Sequence, residues 1–88
     1  MNKTRILVVE DESIVAKDIQ KTLEKLGYEV PATASSAASA YEKLEQIEPD
    51  LVFLDIKLKG EEDGIHIAGH IKEKYDIPVI FLTSYVDQ

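Results

Sequence analysis

Three short apolar runs in this chain each end in side chains that carry oxygen. "ILVV" (Ile6 to Val9) leads into Glu10 and Asp11, "LVFL" (Leu51 to Leu54) into Asp55, and "PVIFL" (Pro78 to Leu82) into Thr83 and Ser84. A lone acid in such a place is most simply the point where the chain leaves its core for water. Acids on several runs of the same kind, brought to one cleft, call for a common use. Gathered carboxylates repel one another, which destabilises the fold unless a proton is taken up or a cation is bound. An all-oxygen donor set suits a hard divalent ion such as magnesium, with manganese as a substitute. The absence of cysteine and the dispersed position of the two histidines argue against zinc. An aspartate in such a cleft can attack a phosphoryl donor, and the cation and nearby hydroxyls then neutralise charge on the transferred oxygens.

The elements that must position these groups are legible as alternating patterns. The three continuous apolar runs are of the kind found in parallel strands buried on both faces. A fourth candidate strand, "YEVPATA" (Tyr28 to Ala34), carries Pro31, which cannot donate a ladder hydrogen bond and so assigns the strand to an edge. Helical spacing links Val15, Ile19, Thr22, Leu23 and Leu26, with Gly27 placed for a left-handed cap. Ala37, Ala40, Tyr41, Leu44 and Ile47 repeat it after the candidate caps Ser35 and Ser36, and Glu48-Pro49 stops them. Ile65, Ala68, Ile71 and Tyr75 mark a third helix, with Asp63 placed to cap it and Pro78 beyond its end. Strands alternating with helices predict an α/β class: a doubly wound parallel sheet with helices on both faces and ligands beyond the carboxyl ends of the strands.

Composition narrows the function. With 88 residues the chain is one domain at most, and 44% hydrophobic with 31% charged residues is a globular composition. A net charge of -7 disfavours direct binding to nucleic acid or an anionic membrane. The opening "MNKTRILVVED" is too short an apolar run for a signal peptide or membrane span, which makes the cytoplasm the default address. His66 and His70 stand four apart, without the rest of an "HExxH" pattern, and read as a surface pair. The acidic run Glu61 to Asp63 reads as a helix start favoured by the dipole.

In order along the chain, "VVED" before a helix, "LVFLD" before a loop ending in "DGI", and "IPVIFLTS" resemble the first, third and fourth strand signatures of the receiver domain of two-component response regulators. The resemblance spans essentially the whole chain. It implies a flavodoxin-like (CheY-like) fold with strand order 2-1-3-4, and a single receiver domain over residues 1–88. It makes Asp55 the phosphoacceptor, Asp11 a direct metal ligand, Glu10 a ligand acting mainly through metal-bound water, and the Lys57 backbone carbonyl a further ligand. Thr83 matches the hydroxyl that senses the phosphoryl group, and Gly64 matches the glycine after the loop. The implied partners are a histidine kinase or histidine phosphotransfer protein and a downstream output domain or protein.

Departures from the family pattern carry expectations of their own. The loop "DIKLKGEEDG" is one residue longer than the commonest pattern, with Gly60 near a frequent proline. Ser84 stands where alanine is common and Tyr85 follows it, so narrowed access is expected to slow dephosphorylation. The sequence stops at Gln88, before the fifth strand and last two helices of the family, where its phosphoryl-pairing lysine and aromatic switch residue lie. The expectation is a receiver at the start of a longer protein, or a truncated chain that self-associates through its fourth strand. Two rival functions stand beside the phosphoacceptor: a receiver-like interaction module that is never phosphorylated, and a haloacid dehalogenase-type phosphatase. The second wants an aspartate two residues after the nucleophile, where this chain has Lys57.

Overall fold

The computed structural model describes residues 3–56 and 64–82. Within them the chain runs β1 (Arg5–Val9), α1 (Ser13–Lys25), β2 (Glu29–Ala34), α2 (Ala37–Ile47), β3 (Leu51–Asp55), α3 (Gly64–Tyr75) and β4 (Val79–Leu82). All neighbouring strands are parallel, in the order β2-β1-β3-β4, as the alternating pattern predicts. Side chains alternate across a strand, so β1 divides its apolar residues between two cores. Leu7 and Val9 join Val52 and Leu54 against Ala40 and Leu44 of α2 and Ile67 and Ile71 of α3. Ile6 and Val8 face the other way, with Leu23 of α1, Val30 and the partly buried Phe53. β1 and β3 therefore read as continuous apolar runs because both of their faces are covered.

Strand β2 lies at an edge, where a proline is tolerated. Its pairing advances from Arg5↔Glu29 to Leu7↔Ala32, and the extra residue falls across Val30 and Pro31. At the other edge, Ile80 and Phe81 of β4 are each nearly half exposed, on opposite faces of the strand.

The helix ends follow local chemistry. After α1, Gly27 takes φ +102, its N–H reaches the Glu24 carbonyl at 3.0 Å, and the Tyr28 N–H reaches the Leu23 carbonyl at 3.1 Å. This pair of bonds is the Schellman arrangement, which favours glycine because a side chain resists positive φ. Of the two serines before α2, Ser36 is the cap, its Oγ accepting the Ser39 N–H at 3.1 Å. Glu48 closes α2 in the left-handed region, φ 47, ahead of Pro49.

Two apolar positions differ from expectation. Ile65 is 64% exposed, and Ile67 with Gly64 takes the core position on α3. Successive helical residues are about 100° apart, so the face centred on Gly64, Ile67 and Ile71 turns Ile65 outward. Leu26 is likewise exposed, because it is the terminal cap residue of α1 and lies beyond its last packed turn, and Thr22 faces water.

Candidate functional site

The carboxyl ends of β1 and β3 adjoin, since Val9 pairs with Leu54. Glu10 follows directly on β1, and its N–H continues the ladder to the Ala34 carbonyl at 2.9 Å. Asp55 is the last residue of β3 and pairs with Leu82 of β4. Both acids are buried, each with 3% of its surface accessible, and Asp11 between β1 and α1 is half-buried. Glu10, Asp11 and Asp55 each offer a carboxylate oxygen, and these oxygens all lie within 4.8 Å of one another. The acids at the ends of two runs thus share one place, as their spacing predicts.

The electrostatics of the cluster are unfavourable to three neighbouring like charges. Burial is the main influence on Glu10 and pushes its carboxyl up from 4.5 to about 7. The Glu12 N–H, which donates to Glu10 Oε2 at 3.2 Å, opposes that rise. A hydrogen bond with Asp11 and the charges of Asp55 and Asp11 add to it. Near neutrality Glu10 is therefore close to its midpoint of protonation, and a nearby positive charge would favour its ionised form.

The donor chemistry fits a hard divalent cation. All three groups are carboxylates, the strand ends hold them within reach of one ion, and their mutual repulsion is of the sign that a cation relieves. His66 and His70 are exposed on α3 and do not belong to the cluster. The His70 ring instead packs 4.6 Å from the Tyr41 ring on α2, consistent with a surface role. Glu10 also borders a cavity of roughly 200 Å³ whose wall includes Ser13, Ala16, Lys17, Gln20, Ala34 and Ser39.

Lys57, Gly60, Asp63, Thr83, Ser84 and Tyr85, for which the sequence carries expectations, lie outside the described residues. Exposed apolar residues near the acids in sequence give no signal to a pattern-based reading. Ile14, three residues after Asp11, is 80% exposed, and Ile65, next to the first residue of α3, is also exposed. Helical periodicity finds apolar residues that face inward, and an isolated isoleucine facing out gives no periodic signal.

Residues 6–88 match the family model for the response regulator receiver domain. The transcriptional regulatory protein PdtaR of Mycobacterium tuberculosis is 36% identical over 81 residues, covering 92% of this chain and 39% of that protein. Among solved structures, the response regulator PhyR of Brucella abortus superposes with a TM-score of 0.87 at 36% identity, over 96% of this chain and 35% of that one. The N-terminal domain of a response regulator/sensory box/GGDEF 3-domain protein from Carboxydothermus hydrogenoformans gives a TM-score of 0.86 at 37% identity, over 97% of this chain and 68% of that one. The chain thus spans well under half the length of PdtaR and about a third of the Brucella protein.

Proposed function

The chain belongs to the response regulator receiver domain family, and from that premise we propose that it is a phosphoacceptor that takes a phosphoryl group from a phosphohistidine onto Asp55. The observation that carries the reading is the meeting of the Glu10, Asp11 and Asp55 carboxylates at the carboxyl ends of adjacent parallel strands. A carboxylate oxygen of Asp55 attacks phosphorus in line. The bond from phosphorus to the donor imidazole nitrogen breaks, its electron pair stays on the imidazole, and an aspartyl phosphate forms. Glu10, Asp11, Asp55 and the Lys57 carbonyl would hold magnesium, or manganese in its place. When bound, that ion supplies positive charge against the transferred oxygens. The Glu12 N–H orients Glu10, and the Thr83 hydroxyl is assigned to a phosphoryl oxygen. On this reading residues 1–88 all belong to a single receiver domain. It is a cytoplasmic signalling module and no enzyme beyond its own phosphorylation and dephosphorylation.

The donor is a histidine kinase or histidine phosphotransfer protein, and the recipient of the signal is an output domain or protein. Ile14, three residues after Asp11, and Ile65, at the start of α3, are exposed and offer the donor apolar contact. Among the described residues no helix is long and apolar enough to cross a membrane.

Incubation of the intact protein with a small acyl phosphate and magnesium is expected to add one phosphoryl group by intact mass, and Asp55→Asn is expected to add none. Undiminished labelling of that variant would remove Asp55 as the nucleophile, and absence of labelling in the native chain would favour the interaction module. Ile14→Ala is expected to slow transfer from the cognate phosphohistidine partner by about tenfold, the effect of a moderate contact residue, while labelling by acyl phosphate is unchanged. Equal loss with both donors would place Ile14 in the fold of the site instead of in partner contact.

A further inference from the structure

Resting on the metal-binding reading above, we propose that Gly64 is a positioning residue for Asp55, so that the first residue of α3 determines how the acceptor carboxylate is aimed. The amide N–H of Gly64 donates to the Ile56 carbonyl at 2.9 Å, satisfying one of the donors that a helix start leaves open. The approach is closer than any side chain allows. A Cβ at this position would lie 2.4 Å from the Asp55 carbonyl oxygen, 2.7 Å from Ile56 Cα and 2.9 Å from the Ile56 carbonyl oxygen. All three are backbone atoms, so no rotamer change makes room. Gly64 is buried, and Ile67 and Ile71 behind it anchor α3 in the core.

An added methyl group therefore forces one of two movements. Either α3 retreats and gives up the bond to Ile56, or the Asp55–Ile56 peptide turns. Asp55 is the last paired residue of β3, opposite Leu82, and the peptide after it is held to β4 by one long bond, the Ile56 N–H donating to the Leu82 carbonyl at 3.4 Å, so turning that peptide strains this contact. Turning that peptide swings the exit of the strand and carries Asp55 away from Glu10 and Asp11. Gly69 supplies the control: it lies in the same helix, is exposed, and a Cβ there meets nothing within 4 Å.

The test is made on the intact protein with Gly64→Ala and Gly69→Ala. In metal-free protein, Gly64→Ala is expected to shift the backbone amide resonances of Asp55, Ile56, Glu10 and Asp11 while leaving those of Arg5 and Glu29 in place, and Gly69→Ala to shift none of these. Magnesium affinity by calorimetry is expected to fall by about tenfold or more in Gly64→Ala, the scale seen when support of a ligand is removed, and to be unchanged in Gly69→Ala. A folded Gly64→Ala protein with native amide shifts at the acids overturns the proposal. Failure of the native chain to bind magnesium would instead refute the metal-binding reading, and the metal-free resonances would still decide the placement of Asp55. Should Gly64→Ala not fold, exchange of the Gly64 amide in the native protein decides. Several-fold slower exchange on adding magnesium supports the coupling, and unaltered exchange overturns it.

Discussion

The two ends of the sheet treat charge in opposite ways. At the amino ends of the strands, Arg5 of β1 is bonded to β2, to α2 and to Asp50, the residue before β3. Its guanidinium lies 3.3 Å from the Glu29 carboxylate and donates to the last carbonyl of α2, that of Ile47, at 2.8 Å. Its main-chain N–H donates to Asp50 Oδ2 at 2.8 Å, and its carbonyl accepts the Asp50 N–H at the same distance. At the carboxyl ends, Glu10, Asp11 and Asp55 bring charges of one sign together. The amino end is built for cohesion, with Glu29 and Asp50 each answered by a donor on Arg5. The carboxyl end holds an unfavourable arrangement in place because the strands and helices around it are well packed, which is how local destabilisation at a site is tolerated.

The contrast can be sharpened by pH. The folded-state pKa of Glu10, about 7, exceeds its ordinary 4.5, so between those values the folded chain holds more protons there than the unfolded chain. Stability from this group is present at low pH and is lost as pH rises through about 7. The full excursion is about 3 kcal/mol at 1.36 kcal/mol per unit. Chemical denaturation of metal-free protein from pH 5 to pH 8, compared with Glu10→Gln, is expected to show that decline in the native chain alone. Parallel profiles would mean that Glu10 is not strained by its surroundings.

The next largest effect belongs to the opposite end. Arg5→Ala leaves the Ile47 carbonyl and the Glu29 carboxylate without the guanidinium. The loss is expected to be about 1–2 kcal/mol, since the ion pair is partly exposed and contributes little. Urea unfolding measures it, and a loss unaffected by salt would locate the effect in the carbonyl bond. Smallest is Asp11→Asn, which relieves like-charge repulsion in a half-buried position and is expected to raise metal-free stability by up to about 1 kcal/mol. A destabilised Asp11→Asn protein would show that Asp11 is held by favourable contacts instead.

The carboxyl end was far more legible in the sequence than the amino end. Apolar runs ending in Glu10, Asp11 and Asp55 announce both strand and cleft, because a parallel sheet brings the ends of β1 and β3 together once the strands are recognised. Pro31 likewise announces an edge through the hydrogen bond it cannot make. The Arg5 network joins residues 24 to 45 positions apart through single side chains and carbonyls, and no periodicity records such partners. Helix phase was recovered where three or more apolar residues shared a face, as in α2. It slipped at Ile65, where a core glycine, silent in any hydrophobic pattern, holds the position that defines the face.

On the metal-binding reading, Glu10, Asp11 and Asp55 are held in mutual repulsion that a bound cation relieves. The unfolding midpoint of the intact protein at pH 8 across a magnesium titration, with Asp11→Asn as the comparison, decides whether this is so. The native chain is expected to gain stability with the logarithm of magnesium concentration, reaching about 2.7 kcal/mol at a hundredfold excess over its dissociation constant, with the variant's gain displaced to higher concentration. A native midpoint indifferent to magnesium, or an identical gain in the Asp11→Asn protein, would contradict the claim.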